Sequence, residues 1–387
     1  MQKRDFADKH ERRRDIDILR GLAMLTVFLF HCGRFFNEEG WHVKNAQVSH
    51  SATVVMLIVA QWMMPLFFVL SGISAYYALR YQKPGQYILA RIKRLAVPFI
   101  FGTFVVIAPL EIYLERLSEG QFKGSFIEFY PHYFDGWYGF GGNFAWMGVH
   151  LWYLEMLFIF SLLTLPFFID IAREPVRIFF SRIARSSGGL WVIVVPSIAI
   201  FAIEWLVQTD TLQHSILGPR GFGGWPLLQY LLFFVLGYIA ACDSAFKEAF
   251  EKLTVVALAI GISIGIVGYS LTVRGYAGDD VLSAALRSLN AWCWLVAILG
   301  LGSRYLNFEN RATRYTNETV LPFYILHQTV MLVIGFYVVR LNIPMAAKFL
   351  IIAAISFAVI IAICDIAIKR INLLRFLFGM KLKKNKM

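Results

Sequence analysis

Ten apolar runs, most of them about 20 residues long and divided by short polar or basic connections, occupy nearly the whole chain. They fall near residues 16–36, 52–80, 95–115, 148–169, 190–207, 226–242, 253–273, 281–302, 316–339 and 345–369. A bilayer core about 30 Å thick takes roughly 20 apolar residues per helical crossing, and only helices or closed barrels satisfy their backbone groups inside it. The expected fold is therefore an all-α polytopic integral membrane bundle of about ten helices, forming a single domain over residues 1–387. Composition agrees: 58% of the residues are hydrophobic and only 16% are charged, too few to cover a soluble globule of 387 residues. Residues 1–14 and 370–387 read as basic tails. The apolar run after the first tail carries no small-residue cleavage signal, so it is expected to stay as an anchor.

Lysine and arginine set the expected orientation, because connections on the cytoplasmic side carry the excess. The N-terminal tail, the loops near 80–94, 170–189, 243–252 and 303–314, and the C-terminal segment from Lys369 hold 27 basic residues. The alternate connections hold only 7, namely Arg34, Lys44, Arg116, Lys123, Arg220, Arg274 and Arg340. Both termini are thus expected in the cytoplasm. The net charge of +12 follows this punctuation and builds no basic patch beside exposed aromatics, so nucleic acid is not an expected partner. Cys32, Cys242, Cys293 and Cys364 lie inside apolar runs at spacings that suit neither a zinc site nor a disulfide framework, and no metal is expected. The opposite connections, 37–51, 116–147 and 208–225, are rich in Trp, Tyr, Gly, Asn and His. Such surfaces suit sugars, and equally the aromatic belt of a membrane interface.

Ionisable groups deep in lipid are costly and mark function. In the first helix Arg20 and His31 are eleven positions apart, three turns plus about 20°, which puts them on one face with about 16 Å between them along the axis. Arg20 belongs near the cytoplasmic boundary, where it snorkels, pairs with Asp17 or serves the site. His31 lies in the outer half, as a helix-end cap or as a functional ring. Glu155, Glu204 and His327 fall at about the same depth, so four helices offer ionisable groups to one layer. An imidazole there suits general-base work, with a carboxylate to hold its tautomer; Glu155, in the run HLWYLEML, is the expected partner. His150, Trp152, Tyr324 and His327 are candidates for the acceptor side of the same cavity, and Asn290 for an interhelical hydrogen bond. Arg91 and Arg94, at the inner entrance to the third helix, are three apart on adjoining faces. They form either a fork for phosphate oxygens or ordinary positive charges at lipid headgroups.

Together with DIDILRGLAMLTVFLFH at 15–31, PLFFVLSGISAYY at 65–77, HLWYLEML at 150–157 and LPFYILHQ at 321–328, these Arg/His and Arg-x-x-Arg patterns make the chain resemble the acyltransferase type 3 family of multi-pass membrane acyltransferases. The resemblance covers nearly the whole chain, and the WHVKN and FYILHQ runs look most like the glucan-modifying branch. It implies transfer of an acyl group, acetyl or succinyl, from cytoplasmic acyl-CoA to a hydroxyl of an extracytoplasmic glycan or other cell-envelope acceptor, in the bacterial inner membrane. Carried over by position, His31 is the essential histidine, Arg20 its motif partner, and Arg91 with Arg94 the acyl-CoA contacts. Acyl-CoA is then a co-substrate and no cofactor is permanently bound; membrane lipid, acyl-CoA and the glycan are the partners. A transporter or flippase of glycan or lipid would use the same polar layer as its pathway, against which stands the lack of a visible internal repeat. A pH-responsive sensor would use the histidines but leaves the arginine pair unexplained.

Overall fold

The computed structural model describes residues 13–171, 174–207, 223–273 and 281–383. Most of the N-terminal tail, most of the 208–225 connection with Arg220, the connection carrying Arg274, and the last four residues lie outside the described residues. The first half runs α1 (Arg14–Arg34), α2 (His50–Ala60), α3 (Met63–Tyr81), α4 (Pro84–Arg91), a π-helical turn (Ile92–Ala96), α5 (Val97–Phe104), α6 (Ile107–Ser118), α7 (Phe126–Phe129), α8 (Trp152–Leu163), α9 (Leu165–Ile171) and α10 (Glu174–Arg185). The second half runs α11 (Trp191–Val207), α12 (Leu227–Ala241), α13 (Ser244–Val273), α14 (Val281–Tyr305), α15 (Arg311–Val338), α16 (Met345–Ile363) and α17 (Asn372–Leu377). Among the described residues, extended pairing is limited to one isolated bridge, Trp137 with Phe144.

Among the described residues seven helical segments are long and apolar enough to cross a bilayer, and α8 with α9 makes an eighth if its 56° bend lies within one crossing. The other two expected crossings correspond to α11, apolar over the 17 residues up to Val207, where the described residues stop, and to α12, apolar but 15 residues long, short of the roughly 20 that a straight crossing takes. The expected runs are also interrupted where the sequence reads them as continuous. Residues 52–80 break at Gln61–Trp62, between α2 and α3. Residues 95–115 break between α5 and α6, because Pro109 has no N–H for the carbonyl of Val105 four residues earlier. Residues 148–169 bend at Thr164, just ahead of Pro166.

Local chemistry fixes several starts. At α15 the Asn310 side chain accepts from Thr313 N at 2.8 Å. At α4 the first position is Pro84, and the Gln86 side chain returns to Lys83 N at 3.0 Å. Packing then follows the rule for lipid-embedded helices, small residues at the crossings and apolar side chains outward. A Cβ at Gly72 of α3 would lie 2.0 Å from the Phe234 carbonyl oxygen of α12, and one at Gly237 of α12 would lie 2.1 Å from the Val69 carbonyl oxygen of α3. Val55, Ile198, Val255, Leu350 and Ile366 remain exposed, as a hydrocarbon solvent permits. All four cysteines are buried free thiols.

The two ends of the bundle differ. At the basic end Arg14 pairs with Glu309 at 3.4 Å, Arg375 with Glu318 at 3.4 Å, and Lys369 with Glu318 at 3.9 Å, tying α1 to the α14–α15 connection and the chain after α16, with α17, to α15. At the opposite end the buried Lys348 ammonium donates to Asn45 Oδ1 and to the Val339 carbonyl, each at 2.8 Å, fastening the α1–α2 connection to α15 and α16. The reciprocal glycine crossing gives a direct test. Gly237→Leu should overpack the α3–α12 contact and cost more than about 3 kcal/mol; a detergent melting temperature equal to wild type would contradict that packing.

Candidate functional site, a histidine centre with an arginine group below it

His31, in the last turn of α1, is half-buried, and its Nδ1 lies 2.9 Å from the Val27 carbonyl oxygen. A carbonyl can only accept, so Nδ1 carries the hydrogen and the neutral ring has its lone pair on Nε2. The same Nδ1 is 3.2 Å from Nε2 of His327 on α15. His327 is fully buried and its own Nδ1 lies 2.5 Å from the Tyr324 carbonyl oxygen, which fixes the hydrogen there and leaves Nε2 to accept from His31. One face of His31 stacks on Trp41, with ring centroids 6.0 Å apart, and Trp41 in turn meets the edge of Phe35 at 4.8 Å. Among the described residues none bonds His31 Nε2, the nitrogen that offers basicity.

Behind His327 stands a buried carboxylate. Glu111 of α6 is fully buried and receives Gln328 Nε2 at 3.0 Å, Thr329 Oγ1 at 2.6 Å and His150 Nδ1 at 3.0 Å. His150 Nε2 faces the Ile325 carbonyl at 3.1 Å, so both of its nitrogens are engaged. Its ring lies 5.0 Å from that of His327, and the Tyr324 hydroxyl donates to its carbonyl. The backbone that delivers His150 is unusual. Gly148 has φ +69° and Val149 φ +53°, the left-handed region, where a β-branched residue is strained by about 1–3 kcal/mol.

Three turns down α1, Arg20 donates to Ser74 Oγ at 2.5 Å and lies 3.6 Å from Asp17. Arg91 lies over the Tyr87 ring at 4.6 Å, and the π-helical turn that follows it carries the exposed Arg94. The charges of Arg20 and Arg91 both act on Arg94 and on Tyr153. Tyr153 bonds Ser71 at 2.7 Å and meets Tyr324 at 5.7 Å, so aromatic and hydroxyl side chains link the arginine level to the histidine level.

The structure thus joins His31, His327, His150 and Tyr324, and groups Arg20 with Arg91 and Arg94. It does not join all the expected residues. Glu155 makes no described hydrogen bond to His31, whose ring is held by the Val27 carbonyl, and Glu155 Oε2 is buried without a hydrogen bond. Trp152 packs against Phe68 and Tyr230. Glu204 belongs to a separate polar group, accepting from Gln229 at 2.5 Å and from Arg287. Asn290 Oδ1 is buried without a hydrogen bond. Glu111, Gln328, Thr329 and Trp41 were not singled out from the sequence. Glu111 satisfied the same rule as the others, an ionisable residue in an apolar run, but the run is read as ending at 115 and places it at the interface.

At the end of the bundle away from the basic residues, α6 closes with a clamp. Glu115 accepts from His42 and from the Tyr138 hydroxyl at 2.9 Å, while Arg116 donates to Asn143 Oδ1 at 2.8 Å, Gly142 O at 3.0 Å and Glu115 at 3.1 Å. This fastens the aromatic 119–148 segment beside the loop that carries Trp41.

Compared with known proteins, residues 13–368 match the family model described as an acyltransferase domain. The chain is 25% identical over 380 residues to Glucans biosynthesis protein C of Salmonella heidelberg strain SL476, and equally to that of Salmonella typhimurium strain LT2, covering 95% of this chain and 94% of each relative. No solved structure matches it significantly.

The clamp makes the attachment of the 119–148 segment checkable. Arg116→Ala removes charged hydrogen bonds worth about 1.5–3 kcal/mol each, and limited proteolysis of reconstituted protein should then cut within 119–148 at least about tenfold faster. Equal cutting of mutant and wild type would show that Arg116 does not hold the segment.

Proposed function

The chain belongs to the acyltransferase type 3 family, whose model spans most of its length, and from that premise we propose that it transfers an acyl group from cytoplasmic acyl-CoA to a hydroxyl of an extracytoplasmic glycan. The observation that carries this reading is on α1: one helix bears Arg20 among Arg91 and Arg94, and His31 with an uncommitted Nε2 about 16 Å away along the axis. The excess of basic residues at the arginine end favours placing that end in the cytoplasm. Arg91 and Arg94 hold the phosphates of coenzyme A there, and its long pantetheine arm runs inward toward His31. The relatives' name, glucans biosynthesis protein, makes a glucan the favoured acceptor. Acetyl and succinyl are the acyl groups in view.

In this reading the acceptor O–H gives its proton to His31 Nε2 as the oxygen attacks the thioester carbonyl. The tetrahedral intermediate collapses, the C–S bond breaks, and coenzyme A leaves as a thiolate. His31 remains oriented throughout, because its Nδ1–H stays between the Val27 carbonyl and His327. Most of the acceleration comes from holding two substrates in line, which is worth far more than the proton transfer alone. Trp41, stacked on the outer side of His31, provides an aromatic floor for the acceptor ring.

The test is expression with a labelled acyl-CoA pool followed by mass spectrometry of envelope glycans. His31→Ala should lower label transfer by at least about 100-fold with the protein still inserted; a mutant with normal transfer refutes the base assignment, and transport of glycan without thioester consumption would favour a flippase. Arg91→Ala with Arg94→Ala should raise the acyl-CoA KM about tenfold or more, each lost phosphate contact counting as a charged hydrogen bond. Unchanged saturation would place both at lipid headgroups. Trp41→Ala should raise the acceptor KM and leave that of acyl-CoA alone.

A further inference from the structure

Glu111 is a fully buried carboxylate on a membrane-spanning segment, an arrangement that costs stability unless every lone pair is met. Its partners are not scattered. Gln328 and Thr329 immediately follow His327 in α15, while His150 reaches Glu111 with one nitrogen and the Ile325 carbonyl, two residues before His327, with the other. Tyr324, whose carbonyl accepts from His327 Nδ1, donates its hydroxyl to the His150 carbonyl. Residues 324–329 are therefore pinned on both sides of the His327 ring, and Glu111 is the hub of the pinning. The left-handed Gly148–Val149 turn is retained, strain included, to bring His150 into place. An apolar set of equal volume would serve stability better than a charge with three donors. What this set holds is the imidazole that hydrogen-bonds His31.

We propose that Glu111 is a positioning residue for acyl transfer. Through His150, Gln328 and Thr329 it keeps His327 Nε2 facing His31 Nδ1–H, so that the His31 ring stays aligned as it takes the acceptor proton. The inference rests on the reading of His31 as the base. It adds no bond change to that reaction: O–H and C–S break, C–O forms, and the proton rests on His31. Its effect is on the alignment of the base, so it predicts a change in kcat and not in acyl-CoA binding, which the arginine group governs.

The experiment uses the full chain reconstituted in liposomes, with kcat and acyl-CoA KM measured for Glu111→Gln, His150→Gln, their double mutant, Thr329→Val and His31→Ala. Glu111→Gln should lower kcat about 10- to 100-fold, the equivalent of one charged hydrogen bond in the activated state, with KM changed less than about twofold. The double mutant should be no slower than the slower single, because residues acting as a unit are not additive. Should Glu111→Gln fail to insert, Thr329→Val, which removes one donor without changing shape, decides: about a 3- to 10-fold loss in kcat supports the inference and full activity overturns it. Wild-type kcat in folded Glu111→Gln, a loss carried by KM, or losses that multiply in the double mutant also overturn it. His31→Ala separates the two proposals. If it stays active the base reading itself falls, whereas an inactive His31→Ala beside a fully active Glu111→Gln removes only the role of Glu111.

Discussion

A carbonyl oxygen in the middle of α1 sets the chemistry of the whole centre. Val27 O can accept but never donate, so the hydrogen of His31 is held on Nδ1 and the lone pair is turned to Nε2. The same device is repeated at His327, whose Nδ1 is held by the Tyr324 carbonyl. A carboxylate would also fix a tautomer, but it would place a full charge against the ring and carry its own desolvation cost in a lipid-embedded bundle. Backbone carbonyls of a helix are already present and already oriented. The charge is kept farther back, on Glu111, where three donors meet it.

Much of the fold could be read from the chain because lipid imposes a simple code. Apolar runs at a set length mark helices, and basic residues in alternate connections mark one end. The breaks were harder, although their causes are in the sequence. Pro109 denies a bond to Val105 O, and Pro166 follows the bend at Thr164, yet hydropathy sums over both and sees one continuous run.

The site was legible along the membrane normal and illegible across it. Helix rise gives depth at 1.5 Å per residue, and by depth alone His31, His327, Glu155 and Glu204 share a level. Which helices adjoin in the plane is set by packing, by contacts such as Gly72 and Gly237 that bring α3 and α12 together, and no periodicity within a single helix encodes it. His31 and His327 meet because α1 packs on α15; Glu204 finds Gln229 and Arg287 on α12 and α14. Glu111 shows the converse failure. It lies four residues from the end of its apolar run, where depth gives no reason to single it out, yet the structure buries it against His150, Gln328 and Thr329 from two other segments.

One helix therefore does two kinds of work. The N-terminal half of α1 carries Arg20 into the arginine group, and its C-terminal turn presents His31, with rigid helix between. The proposed reaction, with donor and acceptor from opposite sides, would need a fixed distance between the arginine group and His31, because a tethered thioester is useful only if it arrives where the base is waiting. A loop would let that distance vary, whereas α-helical hydrogen bonding sets it. In the proposed reaction the same argument assigns the acceptor to the loops at the end away from the basic residues, 37–49 with Trp41 and the clamped 119–148 segment. Different acceptors can be accommodated there by changing loops, while the spacing from Arg20 to His31 stays with the helix that defines it.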